Sequence, residues 1–424
     1  MNYFSNFALL RRNRNFRLLY TGQIISFIGT LITSVALPYQ TFYLTHSTLM
    51  IGLLSLLQLL PLVVTALLGG VIADKHNRRT LLIITELGLM LGCILLAFNS
   101  CLPRPSLWII FSVAPLMSAI TGLHRPALDS IAQQIVDKKD FGALSSLATL
   151  KRSLCMIAGP ALGGIIISVW GITATYLIDC LSFSLSLMTL LSMRAISNPS
   201  SPADRSTWIS LKEGVQYALS RQELVGTYLV DFVAMIACMP NALFPAIAQS
   251  FGGAKTLGML YSAPAVGALV VSLYSHWTTR FTRHGMAVAY SAALWGLCIL
   301  FFGLAHHLST ALLFLGLAGA CDALSGIFRG VIWNETIPNS LRGRLAGMEM
   351  VCYLSGPRLG DTKAGLLAAG FGITASLVSG GLLCIAGVGI CCYFLPHFWR
   401  YTAARQQIST TQNDDGSVEA CENT

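Results

Sequence analysis

The apolar stretch 345–369 carries charged residues whose types and spacing could do chemistry away from water. Arg358 and Asp361 are three residues apart, so a helix places them on one face, where each can neutralise the other. Lys363 follows two residues later. An acid whose cation moves away in one conformation can take up a proton, because a lone charge in an apolar setting is costly. The stretch therefore predicts either a proton-exchanging acid or a permanent ion pair.

Other charges inside apolar stretches are candidates for coupling or substrate binding by the same argument. Asp322 and Arg329 stand two helical turns apart, and Arg125 precedes Asp129 by one turn. Both arginines lie toward one end of their stretch, where a long side chain can also reach the polar interface without any further role. The isolated acids of this kind are Glu86 and Asp179.

Polar side chains in two further stretches suit the lining of a cavity for an amphipathic solute. Tyr39 is equally well explained as part of an aromatic belt at a membrane interface. The cavity candidates are Gln23, Tyr39, Gln40, Asp231 and Asn241.

Signatures of enzymes and metal sites are missing from the sequence. It contains no G-x-S-x-G elbow, no phosphate-binding Walker loop and no paired-carboxylate module. The 12 cysteines fall mostly inside apolar stretches and lack metal-ligand spacing. We therefore expect neither an enzyme, nor a bound metal, nor an organic cofactor.

The elements that must position these residues follow from composition. Of 424 residues, 54% are hydrophobic and 11% are charged, whereas soluble domains have about 25% charged residues. So few charges cannot cover a water-facing surface, and lipid must solvate part of the chain. Apolar runs long enough to cross a bilayer fall near 18–43, 50–73, 80–100, 107–130, 143–169, 172–193, 224–249, 256–277, 286–305, 309–333, 345–369 and 373–395.

The distribution of positive charge supports twelve crossings. Most of the 27 Lys and Arg residues fall in alternate connections and in the two tails, which is the bias of cytoplasmic segments. The net charge of +9 is spread along the flanks of apolar runs and forms no single patch, so nucleic acid is not expected as a partner. We predict an all-α membrane protein with both termini in the cytoplasm.

The longest connection divides the chain into two halves of six crossings. The predicted bundles are 1–193 and 224–396, joined by a cytoplasmic linker at 194–223. The linker segment Trp208–Leu219 has apolar residues three and four apart, as in an amphipathic helix. The polar segment 397–424 is predicted to be a disordered cytoplasmic tail.

The connection between the second and third runs resembles a known family signature, G-x-x-x-D-[RK]-x-G-[RK]-[RK], of the major facilitator superfamily. Asn77 replaces the second glycine, and we expect it to keep the turn, since Asn tolerates left-handed backbone. The resemblance implies a fold of two six-helix bundles with a cavity between them and a gate at this loop. The matching residues are Gly70, Asp74, Lys75, Arg78 and Arg79.

A second resemblance concerns the direction of transport. Gly159, Pro160, Gly163 and Gly164 match the G-P-x-x-G-G ending of the antiporter motif of superfamily exporters, although Cys155 stands where an upstream glycine is expected. Small residues beside a proline are also typical of close helix packing with no bearing on direction.

Beyond the superfamily, the chain is similar to the branch of enterobactin-type siderophore exporters and macrolide efflux proteins, through 36–48, 338–344 and 356–365. The resemblance implies export of a small amphipathic molecule by proton antiport across a bacterial inner membrane, by a monomer whose partners are its substrate and the lipid. A macrolide or multidrug pump is the alternative. An uptake permease or a non-transporting sensor is a further one.

Overall fold

The computed structural model describes residues 3–75, 77–194, 213, 216–338 and 341–402, with the backbone alone at 3–7, 70–71, 73–75, 279, 342–344 and 346–348. Its helices are α1 Tyr3–Arg12, α2 Arg14–Thr45, α3 Thr48–Lys75, α4 Arg78–Cys101, α5 Leu107–Ile135, α6 Phe141–Leu191, α7 Gln222–Cys238, α8 Phe244–Phe251, α9 Ala254–Leu273, α10 His284–Gly303, α11 Leu308–Thr336, α12 Arg342–Phe371, α13 Ile373–Phe394 and α14 Pro396–Trp399. Three short 3₁₀ turns join them at Lys138–Asp140, Asn241–Leu243 and Ser275–Arg280.

The described part of the chain is helical and carries no strand. Ten of its helical segments are long and apolar enough to cross a membrane. Large apolar side chains such as Leu60 (71% exposed) and Phe98 (64% exposed) point outward. Water would not solvate such a surface well, so these side chains mark the lipid-facing side.

Every predicted apolar run contains a helix, but the count of ten differs from the expected twelve for two reasons. The segment Lys138–Leu191 counts once, although Gly171 (φ 80°) is non-helical and divides α6 into two arms. The charged helix α12 is 30 residues long but is not among the ten. The number of crossings therefore stays a prediction.

The run 224–249 is not one continuous helix, as the apolar pattern suggested. Helix α7 ends at Cys238, and a 3₁₀ turn follows Pro240 before α8 begins. Proline has no backbone N–H and its ring clashes with the preceding turn of a helix. On both sides of the break, backbone groups lose their partners within the helix.

The helices form two groups, which we call the N-half (α1–α6) and the C-half (α7–α14). We call the end that carries Asn13 and Phe398 the terminal end, and the opposite end, with Thr48 and Gly372, the distal end. Asn13 donates to the carbonyl of Ile135 (2.7 Å), and this contact ties α2 to the end of α5.

The two halves share a buried core at the distal end. This shared core does not continue along the whole length of the bundle. One cluster of buried residues there contains Val35 and Ile167 of the N-half together with Leu243 and Leu257 of the C-half. Toward the terminal end, separate clusters form within each half, for example the one around Leu82. The molecule is therefore joined at its distal end, and its halves diverge toward the terminal end.

Glycines bring the halves together at two crossings near the distal end. A Cβ on Gly365 of α12 would lie 2.5 Å from the carbonyl oxygen of Thr48 and 3.1 Å from Cα of Gly52. A Cβ on Gly258 of α9 would lie 3.0 Å from Cα of Gly164. Only glycine permits this backbone approach, so these crossings depend on residue size.

The tail and the linker differ in how far the structure describes them. A disordered tail was predicted from residue 397, but Pro396–Trp399 is helical and Phe398 is fully buried. The rest of it, 403–424, lies outside the described residues. In the linker, 195–212 and 214–215 also lie outside them, while the described end is helical and buries Ala218 against the C-half.

Candidate functional site

The strongest charged cluster within the crossing helices joins α7 and α11 of the C-half. Arg329 forms an ion pair with Asp231, and their side chains are 10% and 16% exposed. The Nε of Arg329 is buried without a hydrogen-bond partner among the described residues. The sequence analysis named Arg329 and Asp322 as candidates two turns apart on one helix, and the structure adds a carboxylate from the neighbouring helix as the direct partner of Arg329.

Two further acids surround this ion pair. Asp322 interacts electrostatically with Arg329 and Asp231, and Glu349 of α12 interacts with the same two groups. The C-half therefore brings three carboxylates around one guanidinium. Glu349 was missed in the sequence analysis, although an acid inside the apolar run 345–369 was the signal that could have identified it.

The two halves diverge toward the terminal end, and we call the space between them there the gap. The charges of the N-half that face this gap are mainly positive. Arg125 of α5 lies over the ring of Phe27, 6.0 Å from its centroid. It interacts electrostatically with Asp129 and with Arg152 of α6, and Lys151 belongs to the same group. Three cations here surround one carboxylate, so the predicted Arg125–Asp129 pair is part of a net positive cluster.

These clusters face one another between the halves. Arg152 interacts electrostatically with Glu349, and Arg125 with Tyr353 of α12. Asp129 and Arg152 are exposed although they lie within long helices. The gap at the terminal side therefore has a cationic wall on the N-half and an acidic wall on the C-half. An amphipathic solute that lies between these walls would place its anionic group toward the N-half.

Two charged side chains of α12 form hydrogen bonds with backbone groups at the break after α7. Asp361 (7% exposed) accepts from the backbone N–H of Ala242 at 3.0 Å and from that of Asn241. Lys363 donates to the carbonyl of Ala237. A carboxylate thus meets the N–H groups that the break frees and an ammonium meets a freed C=O, as the helix dipole favours.

The predicted pairing of Arg358 with Asp361 is not what the geometry shows. Arg358 donates to the side-chain oxygen of Gln58 in α3, across the boundary between the halves. Thr362 donates to the carbonyl of Gly52 (3.1 Å) at the same boundary. Arg358 therefore joins the halves, and its attraction to Asp361 acts without a direct contact.

Replacing Asp361 by leucine should destabilise the protein strongly, whereas asparagine should cost less. Leucine leaves two buried N–H groups without an acceptor, at about 1–3 kcal/mol for each, while asparagine keeps an oxygen in place. Thermal unfolding of the detergent-purified variants measures the difference. Lys363→Met, which removes the donor on the other side of the break, should also lower the unfolding temperature. Equal stability of Asp361→Leu and wild type would contradict the capping role.

The loop with the family signature is described in part. The side chains of Gly70, Asp74 and Lys75 lie outside the described residues. Arg79 donates to the carbonyls of Leu190 (3.0 Å) and Leu191 (2.9 Å) at the end of α6.

Two other residues of this loop also have defined contacts. Arg78 contacts the side chain of Gln134 (3.4 Å), so both arginines attach the loop to neighbours within the N-half. The expectation of a left-handed Asn77 is wrong, because Asn77 has φ −63° and caps α4 by accepting from the N–H of Arg79 (3.0 Å) and Thr80 (3.3 Å). An N-cap requires extended backbone, which explains the difference.

The glycines of the antiporter-like motif lie at helix crossings. A Cβ on Gly159 would lie 2.5 Å from the side chain of Leu31, and one on Gly163 would lie 3.3 Å from Cα of Ile32. A Cβ on Gly164 would lie 2.7 Å from the carbonyl oxygen of Ala254. The motif therefore packs α6 against α2 on one side and against α9 of the C-half on the other. The carbonyl of Ile157, two residues before the motif, accepts from Ser262 of α9 (2.9 Å).

Two of the cavity candidates form buried hydrogen bonds inside the N-half. Gln23 (5% exposed) donates to Glu86 at 2.9 Å, and Gln40 (2% exposed) accepts from the hydroxyl of Tyr176 at 2.7 Å, both inside the N-half. Buried amides satisfy buried polar partners there, which periodicity could not foresee. Tyr39 borders a cavity at the distal surface. Asn241 belongs to the break after α7, so Asp231 alone of the five lies in the charged cluster.

Comparisons with known proteins agree with this architecture. The profile of a family described as transmembrane secretion effector matches residues 4–417. The enterobactin exporter EntS of Citrobacter koseri is 27% identical over 385 residues, covering 90% of this chain and 92% of that protein. The EntS of an Escherichia coli strain is 26% identical over 385 residues, and the match again covers 90% of this chain and 92% of that protein.

Solved structures show the same fold at low sequence identity. A POT family transporter in complex with 5-aminolevulinic acid superposes with a TM-score of 0.71 at 13% identity, covering 91% of this chain and 97% of that one. A bacterial homologue of the iron transporter ferroportin, in an inward-facing state, superposes with a TM-score of 0.69 at 13% identity. The match covers 91% of this chain and 98% of that one.

Proposed function

Since the chain belongs to the transmembrane secretion effector family of the major facilitator superfamily, a family of transporters and not of enzymes, we propose that it exports a small amphipathic anion, with a siderophore of the enterobactin type as the substrate. The observation that carries the proposal is the cationic wall of Arg125, Lys151 and Arg152 beside the gap. Catecholate and carboxylate groups of such a substrate would pair with this wall.

The closure of the distal end supports the direction. If both termini are cytoplasmic, as the positive charge of the terminal side favours, the gap opens toward the cytoplasm and takes its substrate from there. The glycine crossings at Gly52–Gly365 and Gly164–Gly258 would separate when the distal end opens. Alternating access through two six-helix bundles of a bacterial inner-membrane monomer is part of the same proposal.

Proton antiport is the energy source that we propose. The acidic wall of Asp231, Asp322 and Glu349 surrounds Arg329, and a conformational change driven by proton binding would free Arg329 to turn toward the substrate. A released Arg329 would add a positive charge to the gap, and this charge would attract the anionic substrate.

Expression of the chain in a bacterium that makes enterobactin but lacks its exporter should restore enterobactin to the medium under iron limitation. Liquid chromatography of spent medium measures it, against an empty vector and against Arg283→Gln, an exposed arginine outside the gap, which should export like wild type. An unchanged enterobactin level, with increased tolerance to a macrolide, would contradict the siderophore proposal and indicate a drug pump.

A further inference from the structure

A seam of buried polar side chains runs through the N-half, apart from the gap. Glu86 of α4 is fully buried, and its Oε1 accepts from Gln23 of α2 (2.9 Å) and from Ser186 of α6 (2.8 Å). Its Oε2 is buried without a hydrogen-bond partner among the described residues. An ionised carboxylate with one bare oxygen in such a place is costly, and a proton on Oε2 removes the charge.

A second carboxyl group lies farther along the same seam. Asp179 (1% exposed) accepts from Thr33 of α2 (2.5 Å), from Ser182 (3.1 Å) and from the thiol of Cys93 on α4 (3.3 Å). All these partners are neutral donors. Cys93 is seven residues beyond Glu86 on α4, so the two carboxyl groups are about 10 Å apart along the helix axis.

Close packing of α2 on the second arm of α6 encloses the seam. A Cβ on Gly22 would lie 2.1 Å from the hydroxyl oxygen of Thr189, and one on Gly29 would lie 2.1 Å from that of Ser182. Ser182 and Ser186 are one turn apart and lie between the two acids. Ser182 donates to Asp179 and Ser186 donates to Glu86, so each carboxyl group has a hydroxyl group on the side that faces the other.

The distal end of the seam reaches a surface cavity. Tyr176, one turn before Asp179, is fully buried and donates to Gln40. Gln40 lines a cavity of about 320 Å³ whose other lining residues include Tyr43 and Thr173. Water in this cavity would lie next to the amide of Gln40, and the seam starts there.

The groups that face the two acids include no cation among those described. Asp179 interacts with the thiols of Cys93 and Cys180, and Tyr176 is the phenol nearest to it on α6. Beside Glu86, Thr85 pairs with His124 of α5 (3.0 Å). No ion pair to either carboxyl group is seen in the described residues, so a bound proton is the available means of neutralising them.

We propose that Glu86 and Asp179 bind protons that come from the distal cavity, and that this seam is the proton path of the exporter. The path is separate from the substrate gap, so a proton and an anion can cross the protein at different places. This inference rests on the proposed antiport. Each carboxylate takes one proton from water and becomes a neutral acid, and it gives that proton back to water when the conformation changes.

Infrared difference spectroscopy of the purified protein tests proton binding without any substrate. At neutral pH, wild type should show the C=O stretch of a protonated carboxyl group, and Glu86→Gln should lose part of that band. The exposed Glu335 gives a matched control, because Glu335→Gln should leave the band unchanged. Cys93→Ala, which disturbs the seam but keeps both acids, should also retain it. Identical spectra of wild type, Glu86→Gln and Asp179→Asn would overturn the inference.

Transport in proteoliposomes separates the seam from the proposed function, with enterobactin as the probe. Glu86→Gln and Asp179→Asn should lose accumulation driven by a pH gradient but keep exchange of enterobactin between the two sides, which also shows that they are folded. Wild-type accumulation in both variants would overturn the seam and leave the antiport intact. If wild type itself ignores the pH gradient, the antiport fails, and the infrared band alone then supports or overturns proton binding.

Discussion

Replacing Arg329 by glutamine is expected to abolish export and to lower the stability of the protein. The change leaves Asp231 without its cation beside Asp322 and Glu349, and breaking a buried ion pair by removing one partner costs about 3–5 kcal/mol. The variant also loses the only guanidinium within that acidic group in the described C-half helices. Thermal unfolding of the purified protein and pH-gradient-driven transport of enterobactin in proteoliposomes measure the two effects.

A double variant separates the structural effect from the functional one. Arg329→Gln with Asp231→Asn removes both charges of the pair, so most of the stability should return, whereas transport should stay lost. Arg283→Gln removes an exposed arginine and should change neither. Transport at the wild-type rate in Arg329→Gln would show that the ion pair takes no part in the cycle.

Valine at both Gly258 and Gly365 is expected to abolish transport by forcing the distal end open. The new Cβ atoms would lie 2.6 Å from the carbonyl oxygen of Pro160 and 2.5 Å from that of Thr48. These are backbone atoms, which cannot move aside cheaply in a close-packed crossing. The halves must then separate at this end. Hydrogen exchange followed by mass spectrometry should rise in α3, α9 and α12 near the two crossings.

Glycines without neighbours provide the control for this prediction. A Cβ on Gly389 of α13 meets no other heavy atom within 4 Å. Gly389→Val should therefore transport like wild type and show wild-type hydrogen exchange. Slow, wild-type exchange at both crossings of the Gly258→Val, Gly365→Val protein would mean that the distal contact is not limited by glycine size.

The fold class was predictable because a bilayer imposes a simple rule. Backbone groups in hydrocarbon must pair within their own segment, so long apolar runs must be helices. Every predicted run contains one. The interruption after Cys238 was less accessible, because apolar residues continue on both sides of Pro240 and Asn241 and proline in a crossing helix can bend it or end it. Hydropathy does not separate these outcomes.

The charged residues were found by type but not by partner. Asp361, Lys363 and Arg358 stood out as charges in an apolar run, yet the first two cap the break after α7 and the third donates to Gln58 of the other half. Spacing along one helix reports only on residues of that helix. Contacts between helices depend on rotation and depth, which one sequence does not specify.

By itself, the amino-acid sequence determined that the chain is helical, crosses a membrane many times and carries costly charges at Glu86, Asp179 and Arg329, because the absence of water acts on each segment separately. Only the tertiary structure decided that Gln23 serves Glu86 and that Asp231 pairs with Arg329. Such pairings join residues tens to hundreds of positions apart, and they are set by the packing of small residues between helices, a property of the whole fold.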